Sequence, residues 1–244
     1  MAFHLKTSNP AFTPYFWNDN GQHTSTMTVR GIFIKSVLCI MAIMAVTFGI
    51  WTLHEQGVDV SWFTYGGLIG SVIISVIISY KTHWAHILVP LYTITKGCFL
   101  GGFSAYVRAK FPDMPYQAIG VTIVAFFTTL VLYQTRIIVV TKKFRSVIIT
   151  AAATIFVVYL ISFILNFFGI KTFIWGTSWV AIIFNVVAAI VASLSLLLDY
   201  DFIERHKNRA PKYKEWLATW GLLVTLVWLY VEILRLMRKL AIKF

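Results

Sequence analysis

The chain of 244 residues is 59% apolar and only 12% charged, with a mean hydropathy of +0.78, which excludes an ordinary water-soluble domain and reads as an integral membrane protein. Its formal charge of +12 comes from 21 Lys and Arg against nine acids. Those bases fall in short clusters between apolar runs, the pattern that orients helices in a bilayer, so a nucleic-acid partner is excluded.

Residues 1–28 form a polar, aromatic arm that contains Pro10, Phe12, Pro14, Tyr15, Phe16 and Trp17. It lacks the basic segment and apolar core of a secretory signal, so the first apolar helix is expected to stay in the mature protein. A span needs roughly 20 apolar residues. Seven runs qualify: 31–53, 60–80, 87–107, 115–134, 146–169, 174–199 and 215–236. Because the hydrocarbon offers no partner to an open backbone, these runs read as helices even where Val and Ile dominate. The fold class is therefore an all-α membrane protein, a seven-transmembrane-helix bundle over residues 29–236 with a basic tail at 237–244.

Within the spans, Gly67, Ser71, Ser75 and Ser79 repeat every four residues, as do Gly97, Gly101 and Ala105. Such stripes mark helix contacts. Cys39 and Cys98 each lie inside an apolar run and read as small buried hydrophobes. His83 and His86 share a helical face without a third ligand nearby, so they read as interface residues and not as a metal site. Lys96 stands near the middle of the third span, where a charge is a functional candidate by default. Tryptophans near the span ends, Trp51, Trp62, Trp84, Trp175 and Trp179 among them, read as an interfacial belt.

Basic residues set the orientation. With the N-terminus cytoplasmic, 13 bases fall inside and seven outside, and the exception is the basic tail after Arg235.

The acids concentrate at the end of the sixth span, in Leu198-Asp199-Tyr200-Asp201-Phe202-Ile203-Glu204. Asp199 shares a face with Asn185, Ala189, Ala192 and Leu196, an inward stripe by its small and polar residues. Asp201 and Glu204 point away from that face, toward the following bases. Asp199 is thus the candidate ion or proton gate, with Asp201 as cap or second member. Glu215 opens the last helix and could share a proton or a cation with Asp199. Glu232 near the far end has Arg235 or Arg238 as its plain partner and Lys96 as the sharper one. No GxSxG, HExxH or Walker loop occurs, so an enzyme is not expected.

These same residues, with Ala210-Pro211-Lys212-Tyr213-Lys214-Glu215-Trp216 and the run Gly221 to Leu236, resemble the bacterial branch of the Bax inhibitor family. Ser8-Asn9-Pro10-Ala11-Phe12 and Val140-Thr141-Lys142-Lys143-Phe144-Arg145 fit the same branch. The resemblance implies a pH-sensitive calcium leak in a bacterial inner (plasma) membrane, gated by two aspartates on the last two helices, the first of which maps onto Asp199. Leu222 to Tyr230 carries no charge, so the second aspartate has no counterpart. The expected function is a multi-pass channel passing Ca2+ and H+, with calcium as cargo and no resident cofactor. The alternative is a non-transporting partner of a membrane-bound protease, acting through the aromatic arm.

Overall fold

The computed structural model describes residues 25–170 and 172–243. The aromatic stretch from Pro10 to Trp17, and the bases Lys6 and Lys171 used in the orientation argument, lie outside the described residues. Seven helices form: α1 Val29–Glu55, α2 Ser61–Tyr80, α3 Ala85–Arg108, α4 Met114–Gln134, α5 Lys142–Phe167, α6 Trp179–His206 and α7 Lys214–Lys243. All seven are long and apolar enough to cross a membrane, and among the described residues there is no strand, only an isolated bridge between Thr26 and Pro211. Their starts follow from local chemistry. Thr28 and Thr141 cap α1 and α5 by accepting from the Gly31 and Phe144 amides at 3.0 and 3.1 Å, and Pro115 stands in the first turn of α4, where its missing amide costs nothing.

Two boundaries depart from the sequence expectation. The sixth helix begins at Trp179, not 174, because Phe173–Trp175 forms a separate short 3-10 turn and Ser178 caps the Ala181 amide. It also runs through the acids to His206. Charges end a hydrophobic segment but not a helix, and the chain turns only near Asn208, whose φ is +61°. The last helix likewise continues to Lys243, so the basic tail from 237 is helical.

The described residues divide into two compact units, 25–112 with 203–223, and 113–202 with 224–243. In the first of these, α1 and α2 both pack on α3 through glycines. A Cβ at Gly97 would stand 2.7 Å from Cβ of Val46, one at Gly101 2.7 Å from Cβ of Ile50, and one at Gly67 2.6 Å from the Phe99 amide. The stripes are therefore contact surfaces, where small residues let backbones approach. The serines of α2 return their hydroxyls to carbonyls of their own helix, Ser71 to Leu68, Ser75 to Ser71 and Ser79 to Ser75. Trp51, near the end of α1, is buried, and its indole N–H donates to Ser104 Oγ on α3 at 2.9 Å. Trp62, Trp84, Trp175 and Trp179 keep the exposure expected of a belt. The end of the N-terminal arm docks on the turn between α6 and α7: the Met27 amide donates to Ala210 O at 2.8 Å, and Met27 O accepts from Asn208 at 3.1 Å.

The second unit is built on α4, α5, most of α6 and the later part of α7. Its core includes Ile148, Ala152 and Ile155 of α5 against Ala188, Val191, Leu197 and Leu198 of α6, with Trp228 packed on them. Tyr200 reaches back to α4, donating to Phe126 O at 3.2 Å. Of the seven helices α7 is the most enclosed, with 83% of its spanning window buried against at most half elsewhere. Its polar residues consequently face protein.

Candidate functional site

Burial agrees with the inward stripe assigned to α6. Asn185, Ala192, Leu196 and Asp199 are all fully enclosed, as is Ala188 beside the less buried Ala189. Asp199 is 0% exposed, and its Oδ2 accepts a hydrogen bond from Thr225 Oγ1 of α7 at 2.6 Å. A buried carboxylate is tolerated where hydrogen bonds replace its hydration. The residue that α7 offers is a threonine, in the uncharged stretch where the sequence had no second aspartate.

Asp201 is 6% exposed and pairs with Arg145 in the first turn of α5. Helical geometry puts Asp201 about 200° round from Asp199, and that face is covered by protein instead of lipid, so both neighbouring acids are enclosed on opposite sides of one helix. Glu204 is exposed and bridges Lys207 one turn later.

Glu215 is tied to the start of α1. It is 1% exposed, and its carboxylate accepts from the Thr28 amide at 3.0 Å, from Thr28 Oγ1 at 2.9 Å and from Lys35 Nζ. Gly31 is required beneath it, because a Cβ there would collide with the carboxylate. The cause lies in the arm: Ser25–Thr28 pairs with the loop before α7 and brings the cap of α1 to the start of the last helix.

Glu232 sits in a network that sequence reasoning largely missed. Its Oε2 accepts from Tyr159 of α5 at 2.7 Å and from Asn185 of α6 at 2.8 Å, while Oε1 accepts from Trp228 at 3.2 Å and lies 3.6 Å from Arg235. The plain partner Arg235 is thus present, and Lys96 is not. Lys96 instead lies over the rings of Tyr92 and Phe99, at 5.6 and 5.3 Å, with no carboxylate partner among the described residues. Lys239, counted with the basic tail, is buried, and its ammonium donates to Asn185 Oδ1, Ile174 O and Ala181 O. The available signal was the hydroxyl of Tyr159 inside an apolar helix, since a buried phenol needs a partner.

His83 stacks on Tyr213 at 4.7 Å, His86 Nδ1 lies 3.1 Å from the His83 carbonyl, and no three His, Cys, Asp or Glu gather as a metal set among the described residues. Cys39 and Cys98 are free thiols.

No curated protein and no solved structure matches the chain significantly. A family model described as Bax inhibitor 1 like matches residues 9–242, nearly the whole chain. With seven apolar helices and an enclosed acid on the sixth, the chain belongs to the Bax inhibitor 1 like family of multi-pass membrane proteins.

Proposed function

We propose that this protein passes cations, calcium foremost, down their gradient across a bacterial inner membrane, with its N-terminus cytoplasmic and Asp199 as the proton-sensitive gate. The observation that carries this reading is a carboxylate with no exposure near the end of a long apolar run, accepting a hydrogen bond from a hydroxyl of the most enclosed helix. Such a group is costly to ionise in place, so its charge state and the packing of α6 on α7 are coupled. An ionised carboxylate offers the hard oxygen ligand that calcium prefers, and a protonated one offers none. Asp201 and Glu215 act as supports: each is anchored by a base from another helix, Arg145 or Lys35. Lys96 and Glu232 are secondary charges outside the gate.

Purified protein in calcium-loaded liposomes tests it. Wild type is expected to leak with a rate that changes with pH, and Asp199→Asn, which keeps the shape and the Thr225 contact, is expected to leak at a rate independent of pH. Equal leakage by both at every pH would exclude Asp199 as gate.

The protease-partner alternative draws on the aromatic arm. Its described end, Ser25–Thr28, is bound to the loop between α6 and α7 and to Glu215, and deletion of residues 2–26 with co-purification of partners tests that reading.

A further inference from the structure

The end of α7 gathers three basic side chains around one carboxylate among the described residues. Arg235, Arg238 and Lys239 follow one another at spacings of three and four, which places them on adjoining parts of one helical face. Arg235 and Arg238 are both close enough to act electrostatically on Lys239. The carboxylate among them is Glu232, and both of its oxygens already accept hydrogen bonds from Tyr159, Asn185 and Trp228. Lys239, 3% exposed, is surrounded by neutral oxygens only. Arg238 has no hydrogen-bond or carboxylate partner among the described residues, and its Nε is buried. Three cations around one saturated carboxylate are unfavourable in a region of low dielectric unless an anion joins them.

We infer that this cluster is a binding site for a phosphate-bearing anion, in which Arg238 supplies the open guanidinium, Arg235 and Lys239 supply the field, and Glu232 sets the lower limit of the site. Guanidinium groups bind phosphate oxygens through paired N–H donors, a geometry that carbonyl-bound lysine cannot offer. The neighbouring rings indicate where the anion comes from. Arg235 stacks near Trp175, Lys243 lies 3.5 Å over the Trp179 ring, and both tryptophans are substantially exposed. Exposed Trp and basic residues together mark the headgroup level of a bilayer, and basic pockets at that level hold acidic lipids. The site also gives the basic end of α7 a role beyond orientation.

Full-length protein in nanodiscs provides the test, read as thermal stability during titration. One arm adds phosphatidylglycerol to a phosphatidylcholine disc, and the other adds inorganic phosphate to a pure phosphatidylcholine disc. Saturable stabilisation by phosphatidylglycerol alone identifies a lipid headgroup, and stabilisation by phosphate in the pure disc identifies a free anion; either supports the site. Arg238→Gln removes no hydrogen bond or ion pair among the described residues, so it is expected to melt close to wild type in phosphatidylcholine and to need about tenfold more anion for the same stabilisation. Arg238→Lys is expected to recover only part of it, since the paired donors are lost. The inference is overturned if neither anion stabilises wild type, or if Arg238→Gln responds as wild type does.

Discussion

Thr225 of α7 donates its hydroxyl to the enclosed carboxylate of Asp199 on α6 at 2.6 Å. The pair stands where the family resemblance implies two acids, and it joins the last two helices through a neutral donor. Replacing Thr225 with Val keeps the shape and removes the donor. Hydrogen bonds to a charged group are worth ~1.5–3 kcal/mol, so Thr225→Val is expected to lower stability by that order in detergent unfolding. An unchanged melting profile would show that the contact contributes nothing to the fold.

Glu215 and Lys35 tie the start of α7 to α1, with side chains 1% and 21% exposed. A double-mutant cycle with Glu215→Gln and Lys35→Met is expected to return a coupling of ~1.5–3 kcal/mol, above that of an open surface pair. Gly31→Ala probes the same place from the backbone. Its methyl would meet the Glu215 carboxylate, and such overpacking costs ~1–3 kcal/mol.

Arg145 and Asp201 are a second enclosed pair, with side chains 14% and 9% exposed. Removing Arg145 with Met leaves a carboxylate enclosed without its base, and breaking a buried pair in this way costs ~3–5 kcal/mol. The double variant Arg145→Met, Asp201→Leu is expected to recover part of the loss. If the single and double variants unfold alike, the burial of Asp201 is not what makes Arg145 necessary.

Gly67, Gly97 and Gly101 hold α1 and α2 against α3. Gly101→Val is expected to push α1 away and to reduce the yield of folded protein, whereas Gly49→Ala, where a Cβ would meet nothing within 4 Å, is expected to be neutral. Size-exclusion profiles of the two variants in detergent measure the difference.

Tyr159→Phe removes one of the donors to Glu232. Leaving a buried acceptor short of a partner costs ~1–3 kcal/mol. Equal stability of Tyr159→Phe and wild type would mean that Asn185 and Trp228 suffice for Glu232.

The number, type and approximate limits of the seven helices were legible because the bilayer imposes them: a run must be apolar and about 20 residues long, and its backbone must satisfy itself. The inward face of α6 was legible for a related reason, since Asn185, Ala192, Leu196 and Asp199 fall on one side at helical spacing and small or polar residues avoid lipid. The end of α6 was misplaced because hydropathy reports where the apolar segment stops, while the helix goes on to His206.

The partners of the acids are a different kind of information. Helical periodicity gives the direction of a side chain around its own axis and says nothing of which helix stands opposite. The spacing of Glu215 gave no hint of α1, and the pairing of Ser25–Thr28 with the loop before α7 brings it to Lys35. Lys239 looked like part of a solvated tail and was drawn inward by the carbonyls of Ile174 and Ala181 and the amide of Asn185. Sequence by itself determined that this is a seven-helix membrane protein with an enclosed acid on α6, because those properties follow from transfer of each segment out of water. Tertiary structure alone decided that Asp199 meets a threonine, that Glu215 and Asp201 are bridged to α1 and α5, and that Lys239 is turned inward, because those contacts depend on residues distant in the chain meeting at particular depths.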